Sequence, residues 1–254
     1  MDKPVTELCT HTATSMNYRD QDLVEDLLGK HTFAEVMFMQ IMGRKPRAVD
    51  MRILDAVLIT LMEHGFTPSA IATRMIYMSA PENLQGAVSA GLMAVGSQFV
   101  GTMENNAKLL EQIIAADDKE AQARQIVLDI KATKSHLPGF GHHMHKPDDP
   151  RSIKLLALAE AEPELPGTYV KALRLLSKTI DEIYGKHITI NATGATAALL
   201  GEIGVPSPLM RGFAVISRAA GLVAHIAEEQ KSPAGRFIWD KIDHEIPYVK
   251  TPLT

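Results

Sequence analysis

The stretch LPGFGHHMHKPDDPR, residues 137–151, places three histidines, two aspartates, a lysine and an arginine in fifteen positions. Opening on Pro138, Gly139 and Gly141, it reads as a shaped loop, and its residue types suit three uses. His142, His143 and His145 with Asp148 and Asp149 offer the nitrogen and oxygen ligands that zinc takes. Spacing argues against that use, because adjacent histidines diverge and neither helical nor strand periodicity converges all three. No HExxH signature occurs elsewhere, so no metal is expected. The second use is a phosphate or carboxylate site: Gly139 and Gly141 let backbone amides approach a ligand, while Lys146 and Arg151 supply cationic donors. The third is a solvated polar loop that holds nothing.

Two further residues could serve a cleft. His64, in LMEHGFTPSA, ends a helical stripe just before Gly65. There an imidazole either faces a cleft or sits on the surface, favoured by the helix dipole. Arg218 interrupts the apolar run AVISRAAGLVAHIAEEQ. A buried guanidinium has to be paired, so it holds an internal carboxylate or waits for a ligand. His225, on roughly the same face, reads as a satisfied core histidine. Hydrolase and dinucleotide readings fail, since no GxSxG elbow occurs and the glycines of GLMAVGSQFVG follow no strand.

Helices must position these groups. Thr32 with Glu35 forms a capping box closed by Gly43, and an apolar stripe from Val49 to Glu63 ends at Gly65. Thr67-Pro68, Ser207-Pro208 and Asp149-Pro150 each set a capping side chain before a proline at the first helical position. Further helices are expected near 84–100, 103–116, 118–134, 150–162, 165–184 and 191–203, with KHITIN the one plausible strand. The fold class is all-α.

Among 254 residues, 46% are hydrophobic and 22% charged, the balance of a soluble globular chain. A net charge of −4 offers no basic field for nucleic acid. PLMRGFAVISRAAGLVAHIA is membrane-like, but Arg211 and Arg218 make it a buried helix, so no membrane partner is expected. Cys9 is the only cysteine, and the polar N-terminus lacks a signal peptide's apolar segment. The chain reads as cytoplasmic.

Several segments, in order, resemble the citrate synthase superfamily. YRDQDLVEDLLGKHTFAEVMFMQIMGRKP is similar to its N-terminal core, and LDAVLITLMEHGFTPSAIATRMIYMSAP to its helix with a substrate-binding histidine. PGFGHHMHKPDDPR resembles the catalytic-histidine loop, FAVISRAAGLVAHIAEEQ the helix with a carboxylate-binding arginine. GRFIWDKIDHEIPYV is close to the tail of the citryl-CoA lyase module of ATP-citrate lyase. The short length places the chain beside the compact, citryl-CoA lyase-like branch.

The resemblance implies a homodimer of helical subunits with a large domain, 1–102 and 200–254, and a small domain, 103–199. His142 would hydrogen-bond the oxaloacetate carbonyl or the citryl hydroxyl. His64, Arg151 and Arg218 would hold substrate carboxylates, and Arg236 would be lent to the second subunit. Backbone of Pro138, Gly139, Phe140 and Gly141, with Lys146, would cradle CoA, which is part of the substrate rather than a separate cofactor. Two positions depart from the family pattern: Val100 stands where a histidine polarises the thioester, and Thr193 where an aspartate moves the proton. A threonine hydroxyl barely ionises near neutral pH; Glu104 is the substitute carboxylate nearest in motif, with Asp148 and Asp149 as alternatives, of which Asp149 is better explained as a helix cap. The activity implied is citryl-CoA lyase-like cleavage to acetyl-CoA and oxaloacetate, with a CoA ligase as pathway partner. A condensing synthase with an unusual substrate and a non-catalytic CoA- or carboxylate-binding homologue are the alternatives.

Overall fold

In the computed structural model, which describes residues 3–96 and 101–251, several helices begin where a side chain satisfies orphan backbone groups. Helix α1 (Phe33–Met42) opens on the expected capping box: Thr32 Oγ1 accepts from Glu35 N at 3.2 Å, and Glu35 Oε2 from Thr32 N at 2.7 Å. Gly43 closes it at φ 67°. Helices α2 (Ala48–Met62) and α3 (Pro68–Ser79) are joined by a turn that carries His64. Then come α4 (Leu84–Met93), α5 (Thr102–Ala115), α6 (Lys119–Ala132) and α7 (Pro150–Glu160), the last capped by Asp149. The chain continues through α8 (Thr168–Tyr184), α9 (Ala192–Glu202), α10 (Ser207–Lys231) and α11 (Gly235–Glu245).

Helix α9 is the axis of the packing. Ten of its eleven residues are buried, Thr193 excepted, and α2, α5, α7, α8 and α10 all touch it. A helix apolar all round has to be surrounded, and its small residues let neighbours approach closely. A Cβ on Gly201 would fall 2.3 Å from the Tyr169 ring. At its end the buried Glu202 carboxylate accepts from Gly167 N at 2.8 Å and Val170 N at 2.9 Å, capping α8 from outside. Buried apolar residues from Met37 to Ala214 form one cluster around this axis.

Helix α10 has the length and composition to cross a membrane, with mean hydropathy 1.3 over its most apolar window, half of which is buried. It packs along α2, α3, α4 and α5 and carries buried Arg218 and His225, as a core helix does.

Three local expectations need correction. KHITIN is not a strand: among the described residues it contributes a single antiparallel bridge, Ile190 to Phe140. Strands occur instead at the N-terminus, as an antiparallel sheet of β1 (Cys9–His11), β2 (Met16–Tyr18) and β3 (Gln21–Asp22). Segments of two or three residues are too short to show alternation. Ser207 does not cap α10; Pro206 holds that position, and the buried Ser207 hydroxyl donates to Glu111 Oε2 at 3.0 Å. Finally, α4 ends at Met93, well short of residue 100.

Replacing Glu202 with alanine strands two amide donors at the start of α8. We expect a loss of about 1–3 kcal/mol, read as a fall of several degrees in the unfolding midpoint by circular dichroism. An unchanged midpoint would show that water replaces the carboxylate without cost.

Candidate active site

Gly139 and Gly141 take φ of 82° and 80°, a left-handed backbone that costs glycine little. The double turn drops the Phe140 ring into the core and lays the loop against 189–191. Gly141 N donates to Thr189 O at 2.8 Å, Asn191 N to Gly139 O at 3.1 Å, and Asn191 Nδ2 to Gly141 O at 3.0 Å. Contact is closest at α9, where a Cβ on Gly194 would lie 2.4 Å from Gly139 O. Asn106 Nδ2 takes Pro138 O at 2.9 Å.

The far end of the loop is fixed by Asp149. Fully buried, it accepts from Arg151 N and Nε at 3.0 Å, Arg151 Nη2 at 2.7 Å and Ala192 N at 3.2 Å. Burial works against its charge, but hydrogen bonds and charge from Arg151 outweigh that and hold the carboxyl below its usual range. Next to it, Asp148 accepts from His187 Nε2 at 2.9 Å, while His187 Nδ1 meets Asp181 at 2.7 Å.

Between these anchors His142 is half-buried, and its Nδ1 accepts from Met144 N at 3.1 Å and His145 N at 3.0 Å. A neutral imidazole carries one proton, so two amide donors at Nδ1 place that proton on Nε2. Arg151 Nη2 stands 3.4 Å from Nε2, a longer and weaker approach. Burial first, and then the charge of His145, push the His142 pKa down, with Asp149 partly opposing. His142 is therefore a neutral N–H donor.

The imidazoles gather here. His145 lies 4.3 Å from His142 between ring centroids, His143 stacks on it at 4.8 Å, and His64 reaches it at 6.0 Å. One ring nitrogen each of His64, His142 and His145 fall within 4.8 Å of one another. The expectation that the loop histidines would not converge is thus corrected for two of them, joined by His64. Periodicity arguments do not apply to a loop folded by two left-handed glycines. A metal would need the Nε2 lone pair of His142, and the amides on Nδ1 keep a proton there.

Behind His64, α10 turns Arg218, Gly221 and His225 toward α2 and α3. Gly221 admits the end of α2 so closely that a Cβ would lie 2.0 Å from Met62 O. Glu63 Oε1 accepts from His64 N at 2.9 Å and from His225 Nε2 at 3.0 Å. His225 Nδ1 in turn accepts from Arg74 Nε at 2.9 Å, and Arg74 also pairs with Glu228 and, at 2.7 Å, with Glu229. His225 is the satisfied core histidine expected. Its partners Glu63 and Arg74, and Glu229 beyond Arg74, were not singled out from the sequence, although Arg74 in the buried stripe of SAIATRMIYM carries the same signal as Arg218. Arg218 itself is only 6% exposed, and its Nη1 has no hydrogen-bond partner. Burial lowers its pKa, with the charge of Glu63 opposing.

A profile described as "Citrate synthase, C-terminal domain" matches residues 5–239. This chain belongs to the citrate synthase family. Among solved structures it is similar to citryl-CoA lyase from Hydrogenobacter thermophilus, with a TM-score of 0.86 and 29% identity over 98% of this chain and 96% of that one. ATP citrate lyase from Methanothrix soehngenii, 18% identical, shares the fold at a TM-score of 0.78 over 43% of its length. Curated relatives include a probable ATP-citrate synthase subunit 1 of Neurospora crassa, 24% identical over 79% of this chain, and the citrate synthase of Haloferax volcanii, 26% identical over 88%. The chain spans 32% and 59% of the length of those two.

The other positions matched to the family have neighbours of their own within the chain. Thr193 Oγ1 donates to Asn191 Oδ1 at 2.7 Å and meets Thr102 Oγ1 at 2.8 Å. Glu104 is paired with Lys108 at 2.8 Å and Arg211 at 3.2 Å, and Lys108 above all holds its carboxyl ionised, a poor proton donor. Val100 lies outside the described residues. Arg236 is exposed on α11, paired with Asp240 and stacked over Trp239. Lys146 is exposed, and the backbone carbonyls of Pro138, Gly139 and Gly141 are taken up by Asn106 and Asn191.

Gly221→Ala forces the end of α2 away from α10. Overpacking of this kind costs about 1–3 kcal/mol, to be read from denaturant midpoints; wild-type stability would mean the two helices part freely. His187 gives a second expectation. Asp181 first and then Asp148 raise its pKa in the folded chain. The tether it forms is present below the unfolded imidazole pKa of about 6.5 and is lost as pH rises through the raised folded value. The stability gap between wild type and His187→Ala should therefore narrow from mildly acidic to alkaline pH. A gap that widens instead would contradict the assignment.

Proposed function

We propose that the chain cleaves a 3-hydroxy-acyl-CoA of the citryl-CoA type to acetyl-CoA and oxaloacetate by retro-Claisen chemistry. The observation that carries this reading is Arg218, a buried guanidinium whose Nη1 has no partner. Such a charge is costly unless a ligand completes it, and a substrate carboxylate is the matching group. Arg151, with two of its side-chain nitrogens on Asp149, offers the remaining Nη1 to a second carboxylate, and His64 stands 6.0 Å from His142 between ring centroids. The likeness to a citryl-CoA lyase over nearly its whole length supports the compact form of the reaction.

His142 supplies a neutral Nε2–H donor to the substrate oxygen that changes from hydroxyl to ketone. As the C–C bond breaks, its electron pair passes to the thioester enolate. CoA enters as part of the substrate, and the substrate lies where His64 and Arg218 of a large domain meet His142, His145 and Arg151 of a small one. The functional unit is a homodimer, to which α11 offers the exposed side chains of Phe237, Trp239 and Ile242. A ligase that builds the CoA thioester completes the route, because free citrate carries none. The non-catalytic alternative rests on one observation: the Thr193 hydroxyl and the Glu104 carboxylate are both spent on neighbours.

The test is citryl-CoA added to purified protein, with oxaloacetate followed by coupled malate dehydrogenase. Loss of one preorganised donor costs about 10²–10³-fold, so His142→Ala should lower the rate by that order while citryl-CoA still binds. Binding without any oxaloacetate release from the wild type would establish a binding protein instead.

A further inference from the structure

We propose that His145 is a catalytic residue, the base that takes the hydroxyl proton of the substrate as the C–C bond breaks. The inference rests on the lyase reading and assigns the step which that reading leaves without a base. His142 cannot be that base. Its lone pair sits on Nδ1, turned to the amides of Met144 and His145, and its Nε2–H can only donate. Thr193 gives its proton to Asn191 and does not ionise near neutral pH. Asp149 is buried and bonded to Arg151 and Ala192 N, Asp148 is paired with His187, and Glu104 with Lys108 and Arg211. Three imidazoles remain, His64, His143 and His145, and none of these rings makes a hydrogen bond to the described residues. His143 is exposed and stacked on the His142 ring, and it is His64 and His145 that each bring a nitrogen within 4.8 Å of one on His142.

His145 is the nearer to His142, at 4.3 Å between centroids against 6.0 Å for His64. Geometry also says what the three rings hold. Three nitrogens no more than 4.8 Å apart leave a common centre within hydrogen-bond reach of each, about 2.8 Å. Zinc would need a lone pair on all three nitrogens, and the amides of Met144 and His145 on Nδ1 leave His142 with its proton at Nε2. An oxygen atom at that centre accepts from His142 and gives its proton to His145.

The step balances. The O–H proton goes to the free ring nitrogen of His145, the C–O bond becomes the oxaloacetate ketone, and the C–C pair moves onto the acetyl carbon as the thioester enolate. The imidazolium then returns the proton to that carbon, so acetyl-CoA leaves and His145 is neutral again. No oxidant, metal or second reactant enters, and no carboxylate is needed at position 193.

The experiment uses the full chain with citryl-CoA and coupled oxaloacetate detection, comparing wild type, His145→Ala, His145→Gln and His64→Ala, with citryl-CoA affinity measured by calorimetry. A positioned base contributes about 10²–10⁴-fold, so both His145 variants should lose turnover by that order while keeping their affinity. Added imidazole should restore turnover to His145→Ala in a concentration-dependent way, but not to His145→Gln, whose amide fills the space. The assignment is overturned if His145→Ala keeps the wild-type rate, or if imidazole rescues His64→Ala and not His145→Ala. A wild type that releases no oxaloacetate sinks the lyase reading itself, and this assignment with it.

Discussion

Asp149 has no exposed surface and still carries a charge, and the cleft is assembled around that fact. Its carboxylate accepts from the first turn of α7, from the Arg151 guanidinium and from the first residue of α9. Each bond offsets part of the desolvation that burial imposes, and together they clamp two helix N-termini and the end of the histidine loop to one point. The other end is held by the Gly139–Gly194 contact, where side chains are absent so that backbones can touch. With both ends fixed, the loop has little freedom left, and the backbone amides of Met144 and His145 fall on His142 Nδ1. The tautomer of His142 is thus a consequence of how α7 and α9 are capped.

The two buried arginines show how the fold divides stability from function. Arg74 has three partners, His225, Glu228 and Glu229, and Glu229 in turn caps the start of α11 through Ala234 and Gly235. Burial disfavours the charge on Glu229, but those two amides and then Arg74 keep it ionised. Arg218, one helical stretch away on the same side of α10, is given no such partner. A fully satisfied arginine builds a helix junction; an unsatisfied one stores an interaction for something that is not protein. Local rules of polar satisfaction break where a ligand is expected and hold where one is not.

That contrast also marks what could be read from residues alone. The all-α class, most helix boundaries and the importance of residues 137–151 follow from caps, prolines and apolar stripes, which act over a few positions. Arg218 as either paired or waiting was also legible, since a charge in an apolar helix has only those outcomes. The convergence of His64 with His142 and His145 was not, because it depends on left-handed turns at Gly139 and Gly141 and on how closely α2 meets α10 at Gly221. Glu63 carries no signal in the sequence beyond closing the apolar stripe, and its place between His225 and His64 exists only in three dimensions. The short N-terminal strands left no periodic trace, and the Ser207 hydroxyl had a buried alternative in Glu111 that sequence proximity hides.

The charge balance of the cleft points the same way as its hydrogen bonds. In count the charges balance, Asp149 against Arg151 and Glu63 against Arg218 with His142 neutral, but Glu63 Oε1 is taken by His64 N and His225, so what remains unmet is the Arg218 guanidinium. In an empty cleft this remainder opposes folding, because Arg218 has lost its water without gaining a carboxylate. A ligand that supplies carboxylates removes that penalty only in the folded state, and binding then adds to stability through mass action. A CoA thioester with an uncharged acyl group would leave Arg218 unmatched, whereas a carboxylate on the acyl group would complete it. On the proposed lyase reading, the same groups that make the unliganded cleft unfavourable select for a carboxylated acyl group, and they do so before any proton moves.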